Sequence, residues 1–241
     1  MPSRTRTHVR RTTALALAVA TTLALGACSD DEGSGDGEGD QDPAAVLEQA
    51  KQTFDDTEGV QISLSTDELP DGVTGLLSAD GVGTHAPAFE GTIKVSYAGM
   101  EPQVPVVAVD GKVYAQLPLV PGWDDIDPQE YGAPDPATLM SPEDGFTSLL
   151  PATDDLEQGE QVRGGADNRE VLTEYTGTVA GDTVKNVIPT ASGDFDVVYT
   201  VADGKELREV VLTGIFYPDS EEMTYTIGFD DYGTAQEITA P

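Results

Sequence analysis

Few side chains in this sequence could do covalent or acid–base chemistry. The 241 residues include one cysteine, Cys28, two histidines and 44 Asp and Glu. A lone thiol cannot close an intramolecular disulfide and is too little for a tetrahedral metal site. His85 stands between Thr84 and Ala86 with no Cys or His neighbour, the setting of a surface residue rather than a ligand or general base. Residues 123–127, WDDID, group three carboxylates beside the only tryptophan and read as a solvated loop. Residues 81–86, GVGTHA, match a dinucleotide fingerprint loosely, but Pro87 follows at once and no strong strand precedes them. There is no G-x-S-x-G, no H-E-x-x-H and no P-loop. The chain reads as a non-enzyme with no cofactor and no metal site.

The thiol has one use that suits its place. Arg4, Arg6, Arg10 and Arg11 make a basic start, and residues 12–27 are apolar or small and uncharged. That run is too short to span a bilayer comfortably, which takes about 20 apolar residues. A basic region, a short apolar region and small residues before a cut are the marks of a secretory signal. Leu25-Gly26-Ala27-Cys28 resembles a bacterial lipobox, in which the cysteine sulfur receives a diacylglyceryl group and cleavage leaves it as the first residue. The expected organisation is a lipoprotein signal over 1–27, a lipidated Cys28 with an acidic spacer over 28–42, and a single domain over 43–241. Two acyl chains suffice for stable anchoring, so the chain is expected on the outer face of a cytoplasmic membrane.

Residues 29–42 hold seven Asp or Glu and no large apolar side chain. Such a segment cannot bury enough surface to order itself, and its like charges extend it. Without residues 1–27, eight Lys and Arg face 44 Asp and Glu, a net charge of −36. That charge excludes nucleic-acid phosphates as a partner and disfavours anionic headgroups.

The remaining elements must form a core without disulfides. Residues 43–57 read as a helix, with Pro43 in its first turn and Val46, Leu47, Ala50 and Phe54 at helical spacing. The period then changes to two over 60–66 and 89–99. Residues 103–117 read as a hairpin turning at Asp110-Gly111, so that Val104, Val106 and Ala108 share a face with Val113, Ala115 and Leu117. Seven prolines between 118 and 154 leave room only for short helices at 136–140 and 142–150, the latter with Phe146, Leu149 and Leu150 on one side. Strands are expected at 156–163, 170–179, 194–201, 206–217 and 222–230, a short helix at 181–189, and a final edge strand at 235–239. The sum is an α+β domain: an antiparallel meander with helices on one side. Strand faces rich in Val, Ile and Tyr but poor in Phe and Trp would leave space between the layers.

The order and spacing of GTIKVSYAG (91–99), VVAVDGKVYA (106–115), GWDDIDP (122–128), SPEDGFTSLLPATDDLEQGEQVRG (141–164) and IGFDDYGTAQEITAP (227–241) resemble the LppX/LprAFG family of actinobacterial cell-envelope lipoproteins. The resemblance implies a strongly bent antiparallel sheet, a half-barrel, with short helices covering its concave face around a hydrophobic cavity. It implies binding of a multi-acyl lipid or glycolipid, carriage across the envelope and hand-over to a membrane lipid transporter. Ile93, Val95 and Tyr97, opposite Lys94 and Ser96, fall on the implied cavity wall. Val104, Val106, Ala108, Val113, Ala115, Leu117, Phe146, Leu149 and Leu150 complete it. The competing expectation is a structural or regulatory envelope lipoprotein with a filled core, acting through its surface.

Overall fold

The first helix shows how local sequence sets the frame. In the computed structural model, which describes residues 41–165 and 168–241, α1 spans Pro43–Asp55. The Asp42 carboxylate accepts from the Ala44 N–H at 3.2 Å, which satisfies one of the free donors at the helix start. Val46, Leu47, Ala50 and Phe54 form its buried stripe. The chain enters α1 beside Lys205, whose Nζ donates to the Gln41 side chain at 2.8 Å.

Eleven strands follow: β1 Gly59–Ser65, β2 Gly75–Thr84, β3 Ala88–Ser96, β4 Gln103–Val109, β5 Lys112–Ala115, β6 Asp124–Ile126, β7 Thr153–Gly164, β8 Glu170–Ala180, β9 Ser192–Ala202, β10 Leu207–Ile215 and β11 Met223–Asp230. They make one antiparallel sheet in the order β6-β5-β4-β3-β2-β1-β11-β10-β9-β8-β7. Two meanders, β1–β6 and β7–β11, join where the first strand pairs with the last, Ile62 opposite Phe229. The β2–β3, β4–β5 and β9–β10 turns lie at one end of the sheet, here the upper end; the β1–β2, β3–β4 and β10–β11 connections lie at the lower end. Between β6 and β7 run four short 3₁₀ turns, Pro128–Tyr131, Pro136–Met140, Phe146–Ser148 and Leu150–Ala152, and α2, Gly181–Val184, follows β8.

Several expectations need correction. A strand, β2, occupies 75–84, where none was expected. Its Gly75, Gly81 and Gly83 lower β-propensity, but each is needed: a Cβ on Gly75 would lie 2.4 Å from the Tyr217 hydroxyl, one on Gly81 2.7 Å from the Phe89 ring, and one on Gly83 2.9 Å from Met140. The WDDID loop contains the edge strand β6, with Ile126 opposite Val113. The 142–150 helix is not continuous: Gly145 is extended, at φ −91° and ψ −162°, and only two 3₁₀ turns follow it. Residues 235–239 form no strand; they cross the sheet face, where Ile238 is buried against Ala88 and Val107 and Gln236 donates to Glu90 at 2.7 Å. A single large apolar side chain at 238 anchors the tail by packing rather than by ladder bonds. His85 is half-buried, with Nδ1 2.8 Å from the Thr57 carbonyl and its ring edge-on to Phe54.

Candidate functional site

Opposed residues of an antiparallel pair point to the same face, so the register traces one surface across the sheet. One row runs Asp124, Ala115, Val106, Gly91, Gly81, Ile62, Phe229. The next runs Val104, Ile93, Ala79, Leu64, Ile227, Val210, Tyr199, Tyr175. Both are apolar almost throughout, and they feed two different clusters.

The larger cluster lies under α1 and the last 3₁₀ turns. Phe54 meets Phe229 edge-on at 5.1 Å, Phe146 meets Phe229 at 5.3 Å, and Phe216 meets Phe195 and Tyr225 at 4.9 and 4.8 Å. All six phenylalanines of the chain are buried. The expectation that few aromatics leave space fails in this half, because the few present converge there from distant elements. Tyr199 hydrogen-bonds Thr153 at 2.8 Å, and the Tyr217 hydroxyl bonds Tyr225 at 2.8 Å and accepts from the Leu76 N–H at 3.0 Å. Burial raises the Tyr199 and Tyr225 phenols far above their ordinary range, so both stay protonated and act as clips, not acids.

The smaller cluster lies on β3–β5: Phe89, Val104, Val106, Ala108, Val113 and Ala115, with Ile93, Val95, Leu117 and Ile126 partly buried around them. From the helical layer, the buried side chain that joins it is Ala137, in the Pro136–Met140 turn. Met140, three residues on, packs into the larger cluster. This one turn therefore sits at the seam between the clusters. The Phe89 ring lies across Gly81 and Gly91, filling the space that their missing side chains leave.

Ile93, Val95, Val104, Val106, Ala108, Val113, Ala115 and Leu117 thus gather in one cluster. Phe146, Leu149 and Leu150 belong to the other. Tyr97 lies past the end of β3, 58% exposed, in a bridge with Met100. Cys28 lies outside the described residues. Sequence reasoning missed Phe89 as a lining residue, although it continues the alternation of Ile93 and Val95. It also missed Ala137 and Ile126, which carry no periodic signal of their own.

Polar groups are sparse here. Asp124 Oδ2 is buried without a hydrogen-bond partner at the edge of the smaller cluster. A surface pocket of about 320 Å³ opens beside Val113 and Ile126 among Asp125, Asp127 and Asp135. Asp127 and Asp135 are occupied in capping 3₁₀ turns, accepting from Gln129 and Ala137 N–H groups at 2.9 Å each, and Asp125 pairs with Lys112 at 2.6 Å. Among the described residues no three His, Cys, Asp or Glu side chains are placed to hold a metal, and no helix is long and apolar enough to cross a membrane.

A broad antiparallel meander with an apolar, helix-contacted face defines the class. The chain belongs to the LppX_LprAFG lipoprotein family, whose sequence profile matches residues 42–238. Its fold is similar to that of LprF from Mycobacterium bovis, with a TM-score of 0.66 at 14% identity over 83% of this chain and 96% of that one. It is also similar to the Mycobacterium tuberculosis lipoprotein LppX, with a TM-score of 0.60 at 18% identity over 82% of this chain and 98% of that one. No curated protein sequence matches the chain.

Proposed function

We propose that this protein is a non-enzymatic lipid carrier of the cell envelope, anchored to the cytoplasmic membrane by an acylated Cys28. The smaller apolar cluster receives the acyl chains of a multi-acyl lipid or glycolipid, and a membrane lipid transporter is the partner in transfer. The observation that carries this reading is the thinness of the cover over β3–β5: a five-residue 3₁₀ turn bounded by Pro136, contributing one buried methyl, Ala137. Lifting that turn opens the seam between the clusters without separating the edge-to-face phenylalanines. Each methylene buried there would contribute about 0.8 kcal/mol, so acyl chains need no polar pocket. Family membership supports the same reading.

The filled larger cluster favours a second reading, a structural or regulatory lipoprotein that acts through its surface. One experiment separates them. Residues 41–241, delipidated and refolded, should take up acyl lipids at fixed stoichiometry in native mass spectrometry. Absence of stoichiometric uptake across diacyl and triacyl lipids and glycolipids would establish the second reading.

A further inference from the structure

We infer that the lower end of β3–β5 docks on the surface of a neutral phospholipid bilayer, with Leu119 and Val120 inserted among the lipids. This rests on the carrier reading, because it supplies the route by which acyl chains reach the smaller cluster. Among the described residues, four of the five large apolar side chains found exposed lie here: Tyr97 and Met100 at 58% each, Val120 at 45% and Leu119 at 102%. The register places them together. The β3–β4 hairpin runs past Lys94↔Gln103 to its tip at 98–99, and the Gln116 N–H donates to the Pro105 carbonyl, which sets the 116–122 loop alongside the same hairpin.

Three observations favour a bilayer. Leu119 is held at φ +69°, a region costly for a leucine, with its side chain wholly in solvent. The Val120 N–H donates to the Leu117 carbonyl at 3.2 Å and closes a turn over Pro118-Leu119, which sets this φ and turns the leucine outward, where an apolar medium would bury it. Residues 95–100 and 113–123 contain no charged side chain, although 23% of the chain is charged. The rim is also continuous with the partly buried Leu117, Val95 and Ile93, so an acyl chain leaving a bilayer meets apolar surface without a break. The acidic 66–74 loop at the same end, with Asp67, Glu68 and Asp71, restricts the partner to lipids without net negative charge.

The test uses residues 41–241, which lie within one compact unit and contain the whole region matched by the family profile. This segment contains no cysteine, so Leu119→Cys accepts a single environment-sensitive NBD label. With phosphatidylcholine vesicles the label should brighten and shift to the blue, while a label at Gly204→Cys in the upper β9–β10 turn should not change. Leu119→Asp/Val120→Asp should lower vesicle flotation about tenfold or more, yet leave the thermal transition and the uptake of soluble short-chain lipid at parental values. An unchanged label at 119, equal responses at 119 and 204, parental flotation of the double variant, or preference for phosphatidylglycerol would each overturn the inference. So would a blue shift that grows with protein concentration alone, which would assign the rim to a second copy of the chain. Insertion at 119 by a protein that takes up no lipid in solution would leave the docking surface standing and remove the carrier reading. Lipid uptake without insertion would do the reverse.

Discussion

Ile93 and Ala108 stand on the same face of neighbouring strands, yet they answer differently to added volume. Ala108 is fully buried between Phe89 and Val113, so Ala108→Leu must overpack and should cost roughly 1–3 kcal/mol of stability. Ile93 is only partly buried, opposite the small Ala79, at the open side of the cluster. Ile93→Trp should therefore melt close to the parent while abolishing stoichiometric lipid uptake. A large loss of stability, or full uptake by the folded variant, would take Ile93 out of the binding surface. On the other face of the sheet, burial and then the charge of Glu174 raise the Glu209 carboxyl above its ordinary range. The folded state thus binds that proton more tightly than the unfolded chain, and stability falls as pH rises through the carboxylate range and then the raised value. Glu209→Gln should raise Tm by about 1–2 °C at pH 7, with the difference vanishing at acid pH. A constant difference across a pH series of thermal melts would refute this sign.

Elements show where sequence was informative. Alternation with a two-residue Asp-Gly turn specified the β4–β5 hairpin down to its register, Ala108 opposite Val113. The α1 stripe was equally legible. The sequence hid β2, because a strand whose inward positions are Gly81 and Gly83 has no hydrophobic alternation; its packing partners, Phe89 and Met140, sit elsewhere in the chain. For the same reason the proposed site was half legible. The named strand residues other than Tyr97 gather in one cluster, while Phe146, Leu149 and Leu150 belong to the core that the aromatics build. The outer strand β7 is twelve residues long, with two register shifts and exposed Asp155, Glu157 and Glu160. Bulges and edge charges prevent a free strand from pairing with another molecule. Asp155→Asn/Glu157→Gln/Glu160→Gln should leave the melt nearly unchanged but raise light scattering in 1 M salt, where screening acts within about 3 Å and only local edge charges remain effective. Unchanged scattering would mean that β7 is blunted by its bulges alone.

At the scale of the whole molecule, one contact ties the first described residue to one end of the sheet. Gln41 is held by Lys205 in the β9–β10 turn, at the upper end of the sheet, whereas the apolar rim lies at the lower end. The nine residues of β10 alone span about 30 Å between those ends. From Cys28, the twelve residues 29–40 reach about 40 Å if fully extended but only about 20 Å as a relaxed coil. With Cys28 acylated as proposed, a relaxed tether would hold the rim off the membrane that carries the anchor. A stretched one lets the molecule fold back and touch its own membrane. Six of those twelve residues are Asp or Glu, so mutual repulsion favours stretching and salt opposes it. On vesicles bearing the anchored protein, the label at 119 should lose its signal when salt is raised or when 29–40 is cut to half its length, while free 41–241 keeps it. On the proposed carrier reading, the acidic tract would act as a ruler whose reach depends on ionic strength, and that reach would decide whether the rim meets the membrane that holds the anchor.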